Sequence, residues 1–257
     1  QRANNEEGFS GKHLQGTYIA GVYYPDKTKV GWWKNGYPEY FAKVLNAVNF
    51  IGIHVRVNGE ALDLATATQV SHFQRELDMH QGLLRRTFTA TLANGLSVRV
   101  EAERFLSIVD DEVAAISYKV TVEDAATVEV VPYLDFNVVN SDANWEETFW
   151  AQQGHASTPG QGHVHAKTKK LDFHVAAAMH CQVSAEGQAL NAHASGREGY
   201  VESRYNATLP AGQSVHVLKY IGVVNSLNAA PDQAVARAEE QAKQAAAKGY
   251  EVLRNPH

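Results

Sequence analysis

Twelve consecutive residues, Val30 to Phe41, carry five aromatic side chains: Trp32, Trp33, Tyr37, Tyr40 and Phe41. Gly31, Gly36 and Pro38 interrupt them, so the run predicts an irregular loop, neither helix nor strand. Aromatic rings on a loop have two uses. They anchor the loop on its own domain, or they offer flat apolar faces to a ligand whose hydroxyl groups need polar neighbours. Sugar rings are such ligands, and Lys34, Asn35 and Glu39 supply polar groups beside the rings. Trp32, Trp33, Lys34 and Asn35 are therefore the candidate substrate-binding residues. In an extended stretch Trp32 and Trp33 point opposite ways, one free to anchor and the other to project. A second aromatic cluster, Trp145, Phe149 and Trp150, sits among amides and acids.

Other chemistries find less support. His163 and His165, two apart, share one face of a strand, but spacing places no third ligand with them, so no metal site is assigned. Glu6-Glu7, Asp110-Asp111 and Glu146-Glu147 are adjacent acids. Adjacent side chains of an extended chain diverge, so none makes a general acid/base pair and each reads as solvated surface. Cys181, the single cysteine, lies in an apolar run and reads as an inert core thiol. No G-x-S-x-G, H-E-x-x-H or phosphate-loop pattern occurs. No catalytic residue and no cofactor are assigned.

The elements that must position these residues are mostly strands. The 257 residues are 44% hydrophobic and 20% charged, enough apolar material for a large core. The net charge of -5 comes from interleaved acids and bases, which speaks against nucleic acid as a partner. No stretch has transmembrane length and no signal peptide opens the chain, so the expectation is no membrane and a cytoplasmic location. The chain opens without methionine and stops just after the apolar patch Tyr250 to Leu253, which reads as a fragment of something longer.

Apolar residues alternate through Ile51 to Val57, with Asn58-Gly59 as a turn. Asn94-Gly95 predicts a hairpin joining Leu84–Leu92 to Leu96–Leu106, because that pair suits the positive φ angles of a tight turn. Val113–Val122, Thr127–Phe136, Leu171–Val183, Tyr200–Leu209 and Ser214–Val224 follow as strands. Pro25 to Asn49 and Asn137 to Gly162 lack a regular pattern. The rhythm predicts a mainly β, antiparallel sandwich or barrel. One helix is expected, Pro231 to Lys248, with Val235, Ala238, Ala242, Ala245 and Ala246 on one face and Gly249 as its stop.

The order of motifs resembles the N-terminal domain of glycoside hydrolase family 65. The carrying residues are Asn5-Glu6-Glu7, the run Leu14 to Val22, the aromatic run Val30 to Phe41, and Asn46 to Ile53. Glu76 to Met79, Glu103-Arg104-Phe105 and Leu134 to Asn140 complete the set. The run Trp32-Trp33-Lys34-Asn35-Gly36-Tyr37-Pro38-Glu39-Tyr40 points to the maltose-cleaving branch rather than the trehalose or kojibiose branches. The family's opening Gly-Asn-Gly motif is absent.

The resemblance implies a large two-sheet antiparallel β-sandwich, a super-sandwich, over residues 1–228. A helical linker over 229–257 would lead to an (α/α)6 catalytic barrel beyond His257. It implies cleavage of an α-glucosidic, maltose-like disaccharide by inorganic phosphate with inversion, to β-glucose 1-phosphate and glucose. The catalytic acid of such enzymes belongs to the barrel, and no residue here matches it. The expected partners are the chain's own barrel and a second copy in a homodimer, and the domain's roles are packing, assembly and shaping the pocket rim. Two other readings stay open: a stand-alone carbohydrate-binding module using Trp32, Trp33, Trp145 or Trp150, and a fragment of a family 65 disaccharide hydrolase.

Overall fold

The computed structural model describes residues 5–11, 13–14, 16–28, 31–140 and 147–255, with backbone alone for Trp32 and Trp33. Along the chain run the strands β1 (Tyr23–Lys27), β2 (Tyr40–Val44), β3 (Ile53–Val57), β4 (Glu60–Ala61), β5 (Gln69–Asp78), β6 (Leu83–Thr91), β7 (Ser97–Leu106) and β8 (Val113–Val122). They continue as β9 (Ala126–Asp135), β10 (Trp150–Thr158), β11 (Gln161–Thr168), β12 (His174–Ala185), β13 (Gln188–Ala189), β14 (His193–Arg197), β15 (Tyr200–Leu209) and β16 (Ser214–Asn225). Two helices close the chain, α1 (Ala234–Lys248) and α2 (Tyr250–Arg254).

Among the described residues the strands form three sheets. A nine-stranded sheet runs β10-β11-β12-β16-β8-β7-β6-β5, with β13 paired to β12, and a five-stranded sheet runs β14-β15-β9-β3-β4. The hairpin β1-β2 is a sheet of its own. Strand pairing is antiparallel, as in β6 against β7 and β16 against β8.

The two large sheets pack face to face because alternate residues of each strand are apolar. Val98 and Val100 of β7, Val120 of β8, Val217 of β16 and Val175 of β12 meet Val55 of β3, Val128 and Val130 of β9 and Val201 of β15 in one cluster. Each such side chain contributes roughly 1.5–3 kcal/mol on burial. The inward row of β16 breaks once, at Lys219. This lysine is fully buried, and its Nζ crosses the sandwich to the carbonyls of Gly52 (3.0 Å) and Tyr133 (2.6 Å).

The outer face of the large sheet receives α1. Ala234, Ala238 and Ala242 pack on Ala176, Ala178 and Val224. Gly222 lets the helix come close, since a Cβ there would stand 2.2 Å from the Ala238 carbonyl oxygen. Gly222→Ala must push the helix off β16, and such overpacking costs about 1–3 kcal/mol. A thermal melt of the variant checks this, and an unchanged midpoint would refute the close approach.

Several expectations change in detail. The hairpin forms at Asn94-Gly95, but only Gly95 has positive φ (84°), and Leu92 pairs with Leu96 at 2.9 Å. The loop is thus a type I turn closed by a glycine bulge, not the two-residue turn expected. The Asn94 side chain accepts from the Leu96 N–H within the turn (3.1 Å) and donates through Nδ2 to the Val57 carbonyl, 2.9 Å away. Helix α1 starts at Ala234, one turn after Pro231, because residues 231–233 form a turn in which Gln233 N–H bonds the Ala230 carbonyl. The strand expected from Leu171 begins at His174.

Pro25 to Asn49 and Asn137 to Gly162 hold regular structure after all, β1 and β2 in the first and β10 with the start of β11 in the second. β10 is an edge strand with Gln152, Gln153 and Gly154 in its middle, so no apolar alternation marks it. No helix of the described residues is long and apolar enough to cross a membrane.

Candidate functional site: an aromatic arm on a polar root

The aromatic run lies at the tip of the β1-β2 hairpin. The strands pair from Tyr23 with Val44 to Lys27 with Tyr40, and the Thr28 N–H donates to the Glu39 carbonyl (2.8 Å). Trp32–Asn35 form a short 3-10 turn started by Gly31 at φ 76°. The backbone there is not extended, so the opposed directions expected for Trp32 and Trp33 have no basis. Their side chains, and all of Trp145, lie outside the described residues. Lys34 and Asn35 are exposed at the tip. Tyr37 (62% exposed), Tyr40 (51%) and Phe41 (43%) extend an apolar aromatic surface along the arm. Rings this exposed in one element mark a surface built to be covered or to bind.

The root of the arm is fixed by buried polar groups. Lys43 forms an ion pair with Asp26 at 2.5 Å, both nearly buried, and its ammonium lies 5.4 Å from the Phe149 ring centre. Phe149 meets Tyr24 edge-on at 4.7 Å. Just beyond β2, Asn46 uses every polar group it has. Its N–H donates to Asn140 Oδ1 (2.9 Å) and its Nδ2 to the Val139 carbonyl (3.0 Å). Its Oδ1 accepts from Thr17 N–H (2.9 Å), and its carbonyl from Trp150 Nε1 (2.8 Å). Asn140 Nδ2 returns to the Val44 carbonyl at 2.9 Å. A buried network in which both amide side chains are bonded at each end fixes one geometry.

Trp150 belongs to that root, buried and edge-on to Phe136 at 4.9 Å, so it is no sugar platform. Sequence alone marks neither Asn46 nor Asn140 as a site residue, although both lie in the motifs that carry the family resemblance.

The remaining candidates separate. His163 Nδ1 is 2.7 Å from Glu239 Oε1, whereas His165 Nε2 is 3.0 Å from His174 Nδ1. Among the described residues no three His, Cys, Asp or Glu side chains converge as metal ligands. Cys181 is buried, which pushes its thiol up to about 12.

Glu6 and Glu7 correct the expectation of solvated surface, for they are buried at 2% and 3% exposure. Arg86 of β6 holds Glu7 through two bonds, at 2.6 and 2.5 Å, and also bonds Glu6. Arg104 of β7 bonds Glu6, and Tyr118 of β8 donates to Glu7 at 3.2 Å. Sequence spacing could not reveal this, because the partners come from strands about 80 to 110 residues away.

The geometry defines a large antiparallel β-sandwich domain bearing a rooted aromatic arm. The model of the glycosyl hydrolase family 65 N-terminal domain matches residues 1–257, and the chain belongs to that family. It is 39% identical to a maltose phosphorylase of Bacillus subtilis (strain 168) over 259 residues, covering all of this chain and 33% of that enzyme. It is 31% identical to a kojibiose phosphorylase of Thermoanaerobacter brockii over 141 residues, 54% of this chain and 16% of that enzyme. The chain thus spans a third or less of these relatives. The solved structure of a candidate kojibiose phosphorylase from the human microbiome superposes with a TM-score of 0.83 at 22% identity, over 99% of this chain and 33% of that one, and shares the fold.

Proposed function

We propose that this chain is the N-terminal domain of a disaccharide phosphorylase acting on maltose, and that its aromatic arm lies against the catalytic domain at the rim of the sugar pocket. The observation carrying this reading is the arm itself, a stiffly rooted hairpin whose Tyr37, Tyr40 and Phe41 are exposed. The 39% identity to a maltose phosphorylase supports maltose as the substrate. Residues 1–228 form the sandwich, and 229–257 lead towards an (α/α)6 catalytic barrel. In the proposed reaction, inorganic phosphate attacks the anomeric carbon from the face opposite the leaving glucose. One carboxylic acid of the catalytic domain protonates the departing oxygen. Phosphate is already an anion, so no base is needed to activate a water molecule. The products are β-glucose 1-phosphate and glucose. The domain contributes packing, homodimer assembly and the rim, in a cytoplasmic enzyme.

The test uses the enzyme comprising this chain and its catalytic domain. Trp32→Ala and Trp33→Ala are made singly. Loss of one stacking ring, worth about 0.5–1.5 kcal/mol, raises the KM for maltose roughly two- to tenfold with thermal stability unchanged. Unchanged kinetics and stability in both variants would reject the rim, and lost stability without a kinetic change would make the loop an anchor. Residues 1–257 alone release no glucose 1-phosphate from maltose and phosphate, and release by the purified chain would overturn the assignment of the chemistry to another domain.

A further inference from the structure

The outer face of the five-stranded sheet holds a second polar site, separate from the arm. There β3, β9 and β15 lie side by side, and their outward residues line a cleft of about 340 Å³. Its charged groups form a row. Arg56 Nε is 3.8 Å from Glu129 Oε1, Arg204 Nη1 is 3.5 Å from Glu129 Oε2, and Arg204 Nη2 is 3.2 Å from Glu202 Oε1.

Glu202 is well occupied, since Ser195 Oγ and Tyr200 Oη also donate to it, at 3.1 and 2.8 Å. Glu129 is different. Its side chain is only 21% exposed and is flanked by two guanidinium groups, yet among the described residues no hydrogen bond reaches its carboxylate. Both gaps exceed ordinary hydrogen-bond length. A hydroxyl group placed at either gap can donate to the carboxylate and accept from the guanidinium at once. One carboxylate with two such gaps suits two hydroxyls on neighbouring carbons.

The charge balance narrows the ligand. Arg56 and Arg204 offset Glu129 and Glu202. Asp63 on the rim adds a negative charge, its oxygens taken by the N–H groups of Ser10 (3.0 Å) and Ala65 (2.8 Å). Burial holds the His54 imidazole below its ordinary range, against the pull of Glu202. Glu7, at the inner wall, is engaged by Arg86 and Tyr118. Nothing here favours an anion, and the two guanidinium groups disfavour a cation. Val131 and Phe9 give the cleft an apolar patch. Small-ligand sites combine an apolar lining with a few placed polar groups, at volumes from about 300 Å³.

We propose that this cleft binds a neutral polyhydroxylated ring, a pyranose unit of a saccharide, with Arg56, Glu129 and Arg204 holding adjacent hydroxyls and Phe9 and Val131 meeting its C–H face. The site shares no residue with the arm.

The test titrates residues 1–257 with glucose and with maltose, followed by amide chemical shifts and calorimetry. A site with two shared hydroxyls gives a Kd of about 1–10 mM, with shifts centred on Phe9, Val131 and Arg204. Glu129→Ala and Arg204→Ala each weaken binding about fivefold or more, the loss of roughly one hydrogen bond, while Lys243→Ala, on the exposed face of α1, does not. The wild-type shift map needs no variant and decides the matter should a variant fail to fold. No binding at about 50 mM sugar, shifts centred on the arm, equal affinity in folded variants, or displacement of sugar by inorganic phosphate would each overturn the proposal.

Discussion

Arg86→Met unfolds the domain at a much lower urea concentration than the parent chain, with a loss of about 3–5 kcal/mol. The reason is what the substitution leaves behind. Arg86 is 3% exposed and contacts both Glu6 and Glu7. Without it, Glu7 keeps, among the described residues, the Tyr118 hydroxyl alone. A buried carboxylate without a countercharge is far more costly than the intact pair is favourable, so the single change overstates the worth of the interaction. Glu7→Leu combined with Arg86→Met removes both sides and costs less than Arg86→Met alone. A double variant as unstable as the sum of the singles would show that the groups are not coupled.

The cluster also sets an acid limit. Burial pushes the Glu6 carboxyl up, but Arg104 and then Arg86 outweigh it and hold the group below its ordinary 4.5. The folded state therefore binds this proton less readily than the unfolded chain. The stability Glu6 contributes is complete above its unfolded pKa and is lost as pH falls through the folded value. In Arg86→Met the carboxyl loses one of its cations, and the acid midpoint of unfolding moves to higher pH.

The sequence made some of this legible and hid the rest for identifiable reasons. The β6-β7 hairpin could be read because one face of each strand is buried, so Val98 and Val100 alternate with Arg99 and Glu101. β5 could not, because nearly all of its residues are exposed and it has no apolar period. Its pairing with β6 also slips between Ser71 and Gln74, where His72 has φ 51°. The arm was visible through its interrupted aromatics, whereas its root was not. Asn46 and Asn140 look like ordinary loop amides until a fold brings them together across 94 residues. Glu6 and Glu7 were hidden for the same reason, since adjacent acids near a chain end read as solvent-facing unless their cations are known. Lys219 did leave a signal. Val215, Val217 and Ile221 set the inward phase of β16, and a lysine in that phase must find partners inside.

That lysine gives the other large expected effect, a rise in stability between neutral and alkaline pH. Burial lowers the Lys219 ammonium from 10.5 to about 7, with the neighbouring Cys181 opposing the change. Its two acceptors, the Gly52 and Tyr133 carbonyls, match the two N–H bonds of a neutral amine. Below pH 7 both folded and unfolded chains carry the proton, and the folded chain bears the full cost of a buried charge. Above about 7 the folded chain releases it while the unfolded chain holds it up to its ordinary value. The unfolded state then binds more protons, so stability climbs with pH across that window. Each tenfold difference in proton affinity between the folded and unfolded chains is worth about 1.4 kcal/mol, so the climb amounts to roughly 3–5 kcal/mol for this one group. Lys219→Met replaces the amine with an apolar chain of similar length, so it loses two hydrogen bonds and removes the buried charge. The variant is expected to be closest to the parent, or above it, at pH 6, and to fall behind as pH rises towards 9. Urea midpoints of both proteins from pH 6 to 9 measure this directly. Parallel pH profiles would mean that Lys219 remains charged in the folded domain and that its two carbonyls hold an ammonium.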